Sequence, residues 1–100
     1  MSINLRIVTP STVAFEGSGQ LLTGPGFLGE FGVLQDHARF LTLNHAGLIT
    51  LEQSAQKTQI VVGKGFAEVA DNQVTYLVDS CTLAEEIEGS LEDFIQKLNE

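Results

Sequence analysis

Phe66-Ala67-Glu68-Val69-Ala70-Asp71-Asn72-Gln73-Val74-Thr75-Tyr76-Leu77-Val78 is the stretch that decides the fold. Residues 66–70 and 74–78 are short apolar runs, and Asp71-Asn72 between them is turn chemistry, so the segment reads as a β-hairpin. Working back toward the N-terminus, residues 58–62 form a β-branched run, preceded by the polar connection Ser54-Ala55-Gln56. Residues 47–52 and 38–43 read as two further strands. Residues 27–34 read as another, with Gly29 and Gly32 inside it. Glycine within a strand points to a bulge or a close backbone approach. Gly24-Pro25-Gly26 is expected to stop the short strand 20–23, since proline removes a donor and glycine frees φ. Gly17-Ser18-Gly19 reads as a turn, and Val13 and Phe15 alternate with Thr12 and Glu16 before it. Thr9-Pro10-Ser11 breaks the first strand, where Ile3, Leu5 and Ile7 alternate with Asn4 and Arg6 at the period of a half-buried strand. Turn signals at this spacing predict a sandwich or a small barrel.

The period changes near the C-terminus. Leu91, Phe94, Ile95 and Leu98 share one face of a helix. Ser90 is placed to cap it, with Glu92 and Asp93 in the first turn, where the helix dipole favours acids. A helix of about ten residues does not stand alone in water, so its apolar stripe must pack on something.

The chain has 100 residues, enough for one domain and not two. Its composition is 43% hydrophobic and 18% charged, ordinary for globular material. A net charge of −8 with 5 basic residues repels nucleic acid and anionic lipid alike. No apolar run approaches the roughly 20 residues of a membrane span. The first residues lack the basic segment and apolar core of a signal peptide, so a cytosolic protein is expected. The single cysteine, Cys81, rules out a disulfide framework and fits a reducing compartment.

No catalytic, cofactor or metal site is expected. Gly24-Pro25-Gly26-Phe27-Leu28-Gly29 spells G-x-G-x-x-G, but Glu30-Phe31-Gly32 is a poor helix start and brings a negative charge where pyrophosphate would sit. Turn glycines explain the pattern. Asp36, His37 and His45 are the one metal-like grouping, and they fall short of a zinc ligand set. Cys81 lacks an adjacent histidine or basic neighbour to activate it and reads as a small buried residue. The serines at 11, 18, 54, 80 and 90 lack a G-x-S-x-G setting. Glu85, Glu86 and Glu88 read as a solvated face. Gly63-Lys64-Gly65 is not a phosphate loop and reads as a tight connection between strands.

One stretch carries a family resemblance. Gly26-Phe27-Leu28-Gly29-Glu30-Phe31-Gly32-Val33-Leu34, then Asp36-His37-Ala38 and Phe40-Leu41-Thr42, resembles the signature loop and strand of ATP synthase epsilon subunits. Gly47, Gly63-Lys64-Gly65-Phe66-Ala67-Glu68-Val69 and Asn72-Gln73-Val74-Thr75-Tyr76-Leu77-Val78-Asp79 resemble later blocks of the family. Leu5-Arg6-Ile7-Val8-Thr9-Pro10 and Phe15-Glu16-Gly17 resemble its first strands. The agreement runs from residue 3 to about 86. Gln35, Arg39 and Ala46 stand where the family usually shows proline.

The resemblance implies a two-sheet β-sandwich of about ten short strands over residues 1–86, followed by a short amphipathic helix within 87–100. It implies a non-catalytic subunit of the central rotor, without a cofactor, linking the gamma subunit to the ring of c subunits. It implies that ion flow is thereby coupled to ATP synthesis, at the cytoplasmic face of a bacterial inner membrane and without direct insertion. By position, Gly29, Glu30 and Phe31 would face the c-ring, and Thr9, His37, Phe40 and Thr42 would face gamma. Family members commonly carry two long helices after the sandwich that inhibit hydrolysis, so one short helix implies little or no inhibition. The competing readings are a small-ligand or carbohydrate-binding sandwich and a small hydrolase. The absence of Trp and the single Tyr count against the first, and no nucleophile–base pair supports the second.

Overall fold

The computed structural model describes residues 2–26, 29–34 and 39–100, with the backbone alone for 29–34. Among the described residues, ten strands form two sheets of five. The first sheet has the order β2 (Thr12–Gly19), β1 (Ile3–Thr9), β9 (Gln73–Val78), β8 (Gly65–Ala70) and β5 (Phe40–Asn44). The second runs β10 (Cys81–Leu83), β7 (Gln56–Val62), β6 (Gly47–Gln53), β3 (Leu21–Gly26) and β4 (Gly29–Leu34). This is the two-sheet sandwich that the resemblance implied.

The β8–β9 hairpin forms as read. Asp71 (φ 50°) and Asn72 (φ 65°) both take the left-handed conformation. Two positive φ values make a two-residue turn whose twist matches the strands it joins. The Asn72 carbonyl then accepts from the Asn4 N–H at 2.8 Å, where β1 begins its parallel pairing with β9. The N-terminal strand is thus locked beside a late one, and the first sheet closes around a non-local contact.

Alternation sets the core. Ile3, Leu5 and Ile7 of β1, Ala67 and Val69 of β8, and Val74, Tyr76 and Val78 of β9 point inward against Leu22, Ile49, Leu51, Ile60 and Val62 of the second sheet. Each fully buried aliphatic of this size stabilises the fold by about 1.5–3 kcal/mol before ordering costs. Tyr76 links the sheets by donating its hydroxyl to the Pro25 carbonyl at 3.0 Å. A side chain at Gly24 would collide with that hydroxyl.

Two expectations fail here, and two short elements are unanticipated. Gly17-Ser18-Gly19 is not a turn, because β2 runs through it to Gly19 after a register shift opposite Ile7 and Val8. Glycine is required because a side chain at Gly19 would strike the Glu52 carbonyl of the other sheet. Gly24-Pro25-Gly26 does not stop β3. Its ladder to β6 covers Leu21–Thr23 and that to β4 continues to Gly26, so Pro25 sits where its missing N–H breaks no β6 pair. The short β10 and the 3₁₀ turn Ala84–Glu86 are absent from the sequence reading; β10 pairs Cys81–Leu83 with Ile60–Val62.

The helix α1 (Leu91–Leu98) forms where expected, with the Ser90 hydroxyl accepting from the Asp93 N–H at 3.3 Å. Leu91 shares a groove with Lys57 and Gln59 of β7, and the Asn99 side chain bonds Ala46 just ahead of β6. The helix therefore crosses the outer face of the second sheet. Val61 points to that face, between inward Ile60 and Val62, yet is only 1% exposed. The 3₁₀ turn Ala84–Glu86 lies against β7, and α1, tethered at Ala46, flanks the same side.

Candidate partner-binding face

The outer face of the first sheet follows a different rule. On β8, Ala67 and Val69 face the core, so Phe66 and Glu68 face out. The ladder then fixes who stands beside them. Phe66 pairs with Leu43 on one side and Leu77 on the other. Leu77 pairs with Val8, and Val8 with Val13. One apolar row thus crosses all five strands: Leu43, Phe66, Leu77, Val8, Val13. Leu43 is 59% exposed, and Phe66, Leu77 and Val13 stand near 40%. Single exposed apolar side chains are normal on a protein surface, but a contiguous row is not.

Polarity is graded along the strands. The next row is Leu41, Glu68, Thr75, Arg6 and Glu16, where Arg6 and Glu16 approach to 3.8 Å. The row after that holds Ala70, Gln73, Asn4 and Ser18. The apolar end opens into a groove of about 490 Å³ lined by Val8, Thr9, Pro10, Phe66 and Leu77, with Lys64 and Asp79 at its margin. The face is nonpolar at one end of its strands and charged beside that patch, and an apolar patch with a polar border is how a protein interface is built.

The expected site residues fall in separate places. Thr9 ends β1 and lines this groove, its hydroxyl donating to the Thr12 carbonyl at 3.3 Å. Phe40 packs against the sandwich core. Thr42 pairs with the fully buried Ala67, so it shares the inward face, and its hydroxyl donates to the Leu43 carbonyl at 3.0 Å. The outward positions of β5 are therefore Leu41 and Leu43, one residue away from the two named. Gly29, Glu30 and Phe31 lie on β4, the edge of the second sheet, paired with Gly26, Pro25 and Gly24. The side chains of Glu30 and Phe31 lie outside the described residues, and so do Asp36 and His37.

Sequence reasoning missed Leu43, Phe66, Leu77, Val8 and Val13 as surface residues. In β9 a signal existed, since Tyr76-Leu77-Val78 is apolar without alternation, as a strand covered on both faces would be. In β5 the signal misleads. Leu41-Thr42-Leu43 alternates as if the leucines were buried, and the register with β8 turns them outward.

The other motifs are structural. Gly24 and Gly26 lie in β3 and Gly29 in β4, so these glycines sit within strands. At Gly63-Lys64-Gly65 the Gly63 N–H donates to the Ser80 carbonyl and the Asp79 N–H to the Lys64 carbonyl, both at 3.0 Å. Side chains at either glycine would collide with Asp79 or Leu77. Cys81 packs against the core, and burial pushes its thiol pKa up, the opposite of activation. Among the described residues no three His, Cys, Asp or Glu side chains come together as a metal site, and no helix is long and apolar enough to cross a membrane.

Fold and face together define a class: a β-sandwich domain with one outer face covered by its own chain and the other left apolar. The chain belongs to the epsilon-chain family of ATP synthases, since the family model described as "ATP synthase, Delta/Epsilon chain, beta-sandwich domain" matches residues 2–84. It is 40% identical over 84 residues to an ATP synthase epsilon chain of Pelotomaculum thermopropionicum, covering 84% of this chain and 63% of that one. It is 40% identical over 97 residues to an epsilon chain of a Nitratiruptor species, covering 96% and 73%. The chain thus spans under two thirds of the Pelotomaculum protein. A chain in the cryo-EM structure of the Euglena gracilis mitochondrial ATP synthase shares the fold, with a TM-score of 0.78 at 24% identity over 96% of this chain and 61% of that one.

Proposed function

We propose that this chain works as a non-catalytic rotor component of an F-type ATP synthase, docking on the gamma subunit through the apolar face of the first sheet. The apolar row Leu43–Phe66–Leu77–Val8–Val13 carries the reading, because nothing in the chain's own described fold covers it. The related Tetrahymena thermophila structure, a central stalk with its c-ring, favours the same placement at a TM-score of 0.68. The edge strand β4, with Gly29, Glu30 and Phe31, is assigned to the c-ring side. Ion pairs between exposed side chains are worth about 0–1 kcal/mol in general, so apolar packing on gamma is expected to supply most of the affinity. A sandwich stiffened by a non-local parallel strand pair is suited to transmitting torque between ion translocation and ATP synthesis. The complex would hold the chain at the cytoplasmic face of a bacterial membrane.

Co-elution with the cognate gamma subunit on size exclusion tests this. The wild type should form a stable complex, and Phe66→Asp should lose it while keeping its β-sheet circular dichroism. A wild type that elutes alone, or a Phe66→Asp chain that still binds, refutes the assignment.

A further inference from the structure

The tail is held at one point by a pair of bonds that look like a missing strand partner. The Ala46 N–H donates to Asn99 Oδ1 at 2.8 Å, and Asn99 Nδ2 donates to the Ala46 carbonyl at 3.1 Å. A carboxamide presents the same donor and acceptor as a peptide group, so one side chain satisfies both backbone groups of one residue. Ala46 falls between the end of β5 and the start of β6 and is 6% exposed. Without Asn99, its two polar groups would need water or remain unpaired.

The receptor side is preset. Asn44, itself buried, donates its Nδ2 to the carbonyls of His45 at 2.9 Å and Gly63 at 3.0 Å. That fixes the corner from inside and leaves the Ala46 peptide groups facing the tail. The ligand side is preset as well. The Asn99 N–H closes the last turn of α1 on Ile95 and Gln96, so the carboxamide is carried by the helix rather than by a loose end.

We propose that Asn99 and Ala46 form a latch that holds α1 closed across the second sheet, over Val61, and that alanine at position 46 is what permits it. Proline, which the family resemblance leads one to expect there, has no N–H and removes one of the two bonds. Opening the latch frees the helix and bares Leu48 and Val61, which pair with each other on that face. The latch is a property of the isolated chain and does not depend on the gamma assignment.

Amide hydrogen exchange on the full chain, without any partner, reads it directly. In the wild type the Ala46 amide should exchange far more slowly than an unprotected amide, together with the amides of 94–99. Asn99→Ala removes both bonds, and loss of two such bonds raises the opening equilibrium about tenfold or more. Exchange at Ala46 and across the helix should rise by that factor, with the amides of Leu5, Val69 and Tyr76 unchanged. Ala46→Pro, which removes one bond of the two, should loosen the helix amides by a smaller factor. An Ala46 amide that is unprotected in the wild type, or helix amides unaffected by Asn99→Ala, would overturn the latch. If Ala46→Pro disturbs the sandwich amides too, Asn99→Ala alone decides.

Discussion

The two outer faces of the sandwich make an instructive pair. Each carries apolar residues across neighbouring strands: Leu48 beside Val61 on the second sheet, and Leu43, Phe66, Leu77, Val8 and Val13 on the first. Val61 is 1% exposed and Leu43 59%. Residue type does not separate the faces; what differs is whether the chain supplies a cover. On the second sheet the C-terminal segment lies along the face, with the 3₁₀ turn Ala84–Glu86 against β7 and α1 tethered by Asn99. On the first sheet the apolar row stays open, at a hydrophobic cost that the proposed partner relieves.

The contrast predicts opposite outcomes for one substitution on the two faces. Val61→Asp places a charge under the helix and should destabilise the fold by about 3 kcal/mol, seen as a lower midpoint in urea. Leu43→Asp, on the open face, should change stability by no more than about 0.5 kcal/mol. If the two variants unfold alike, the difference between the faces is not real.

Binding should sharpen the difference from the other side. Phe66→Ala, between Leu43 and Leu77 in the open row, should weaken gamma binding by about 2 kcal/mol or more, read by calorimetric titration, with a smaller effect on folding. Next in size is Ser90→Ala. Losing the cap should cost about 1 kcal/mol and act on the covered face alone, as faster exchange of the α1 amides. The smallest effect is at Arg39. Its guanidinium meets the Asp71 carboxylate at 3.1 Å, but both side chains are over 70% exposed. Arg39→Ala should leave thermal unfolding and gamma binding nearly unchanged.

Much of the architecture was legible because it depends on local period. The β8–β9 hairpin announces itself through Asp71-Asn72, and α1 through Ser90 and the stripe from Leu91 to Leu98. What escaped depends on neighbours far away in sequence. Gly19 looks like a turn residue until the Glu52 carbonyl is seen against it. Leu41 and Leu43 look buried until β5 is set in register with β8. Asn99 looks like an ordinary helix end until it meets a peptide 53 positions earlier. The open row follows the same pattern, because its residues come from five strands and adjoin only after the sheet is ordered. The family resemblance names Thr9 and Thr42, and register sets Thr9 beside the open row while turning Thr42 to the inward face.

Methyl-labelled NMR with a soluble paramagnetic probe tests the central claim in one sample. In the free chain, the methyls of Leu43, Leu77, Val8 and Val13 should broaden while those of Val61 stay sharp. Adding the cognate gamma subunit should shield the first group and leave Val61 as it was. Broadening of Val61 in the free chain, or continued broadening of Leu43 and Leu77 in the complex, would contradict the division of the molecule into a self-covered face and a partner-covered one.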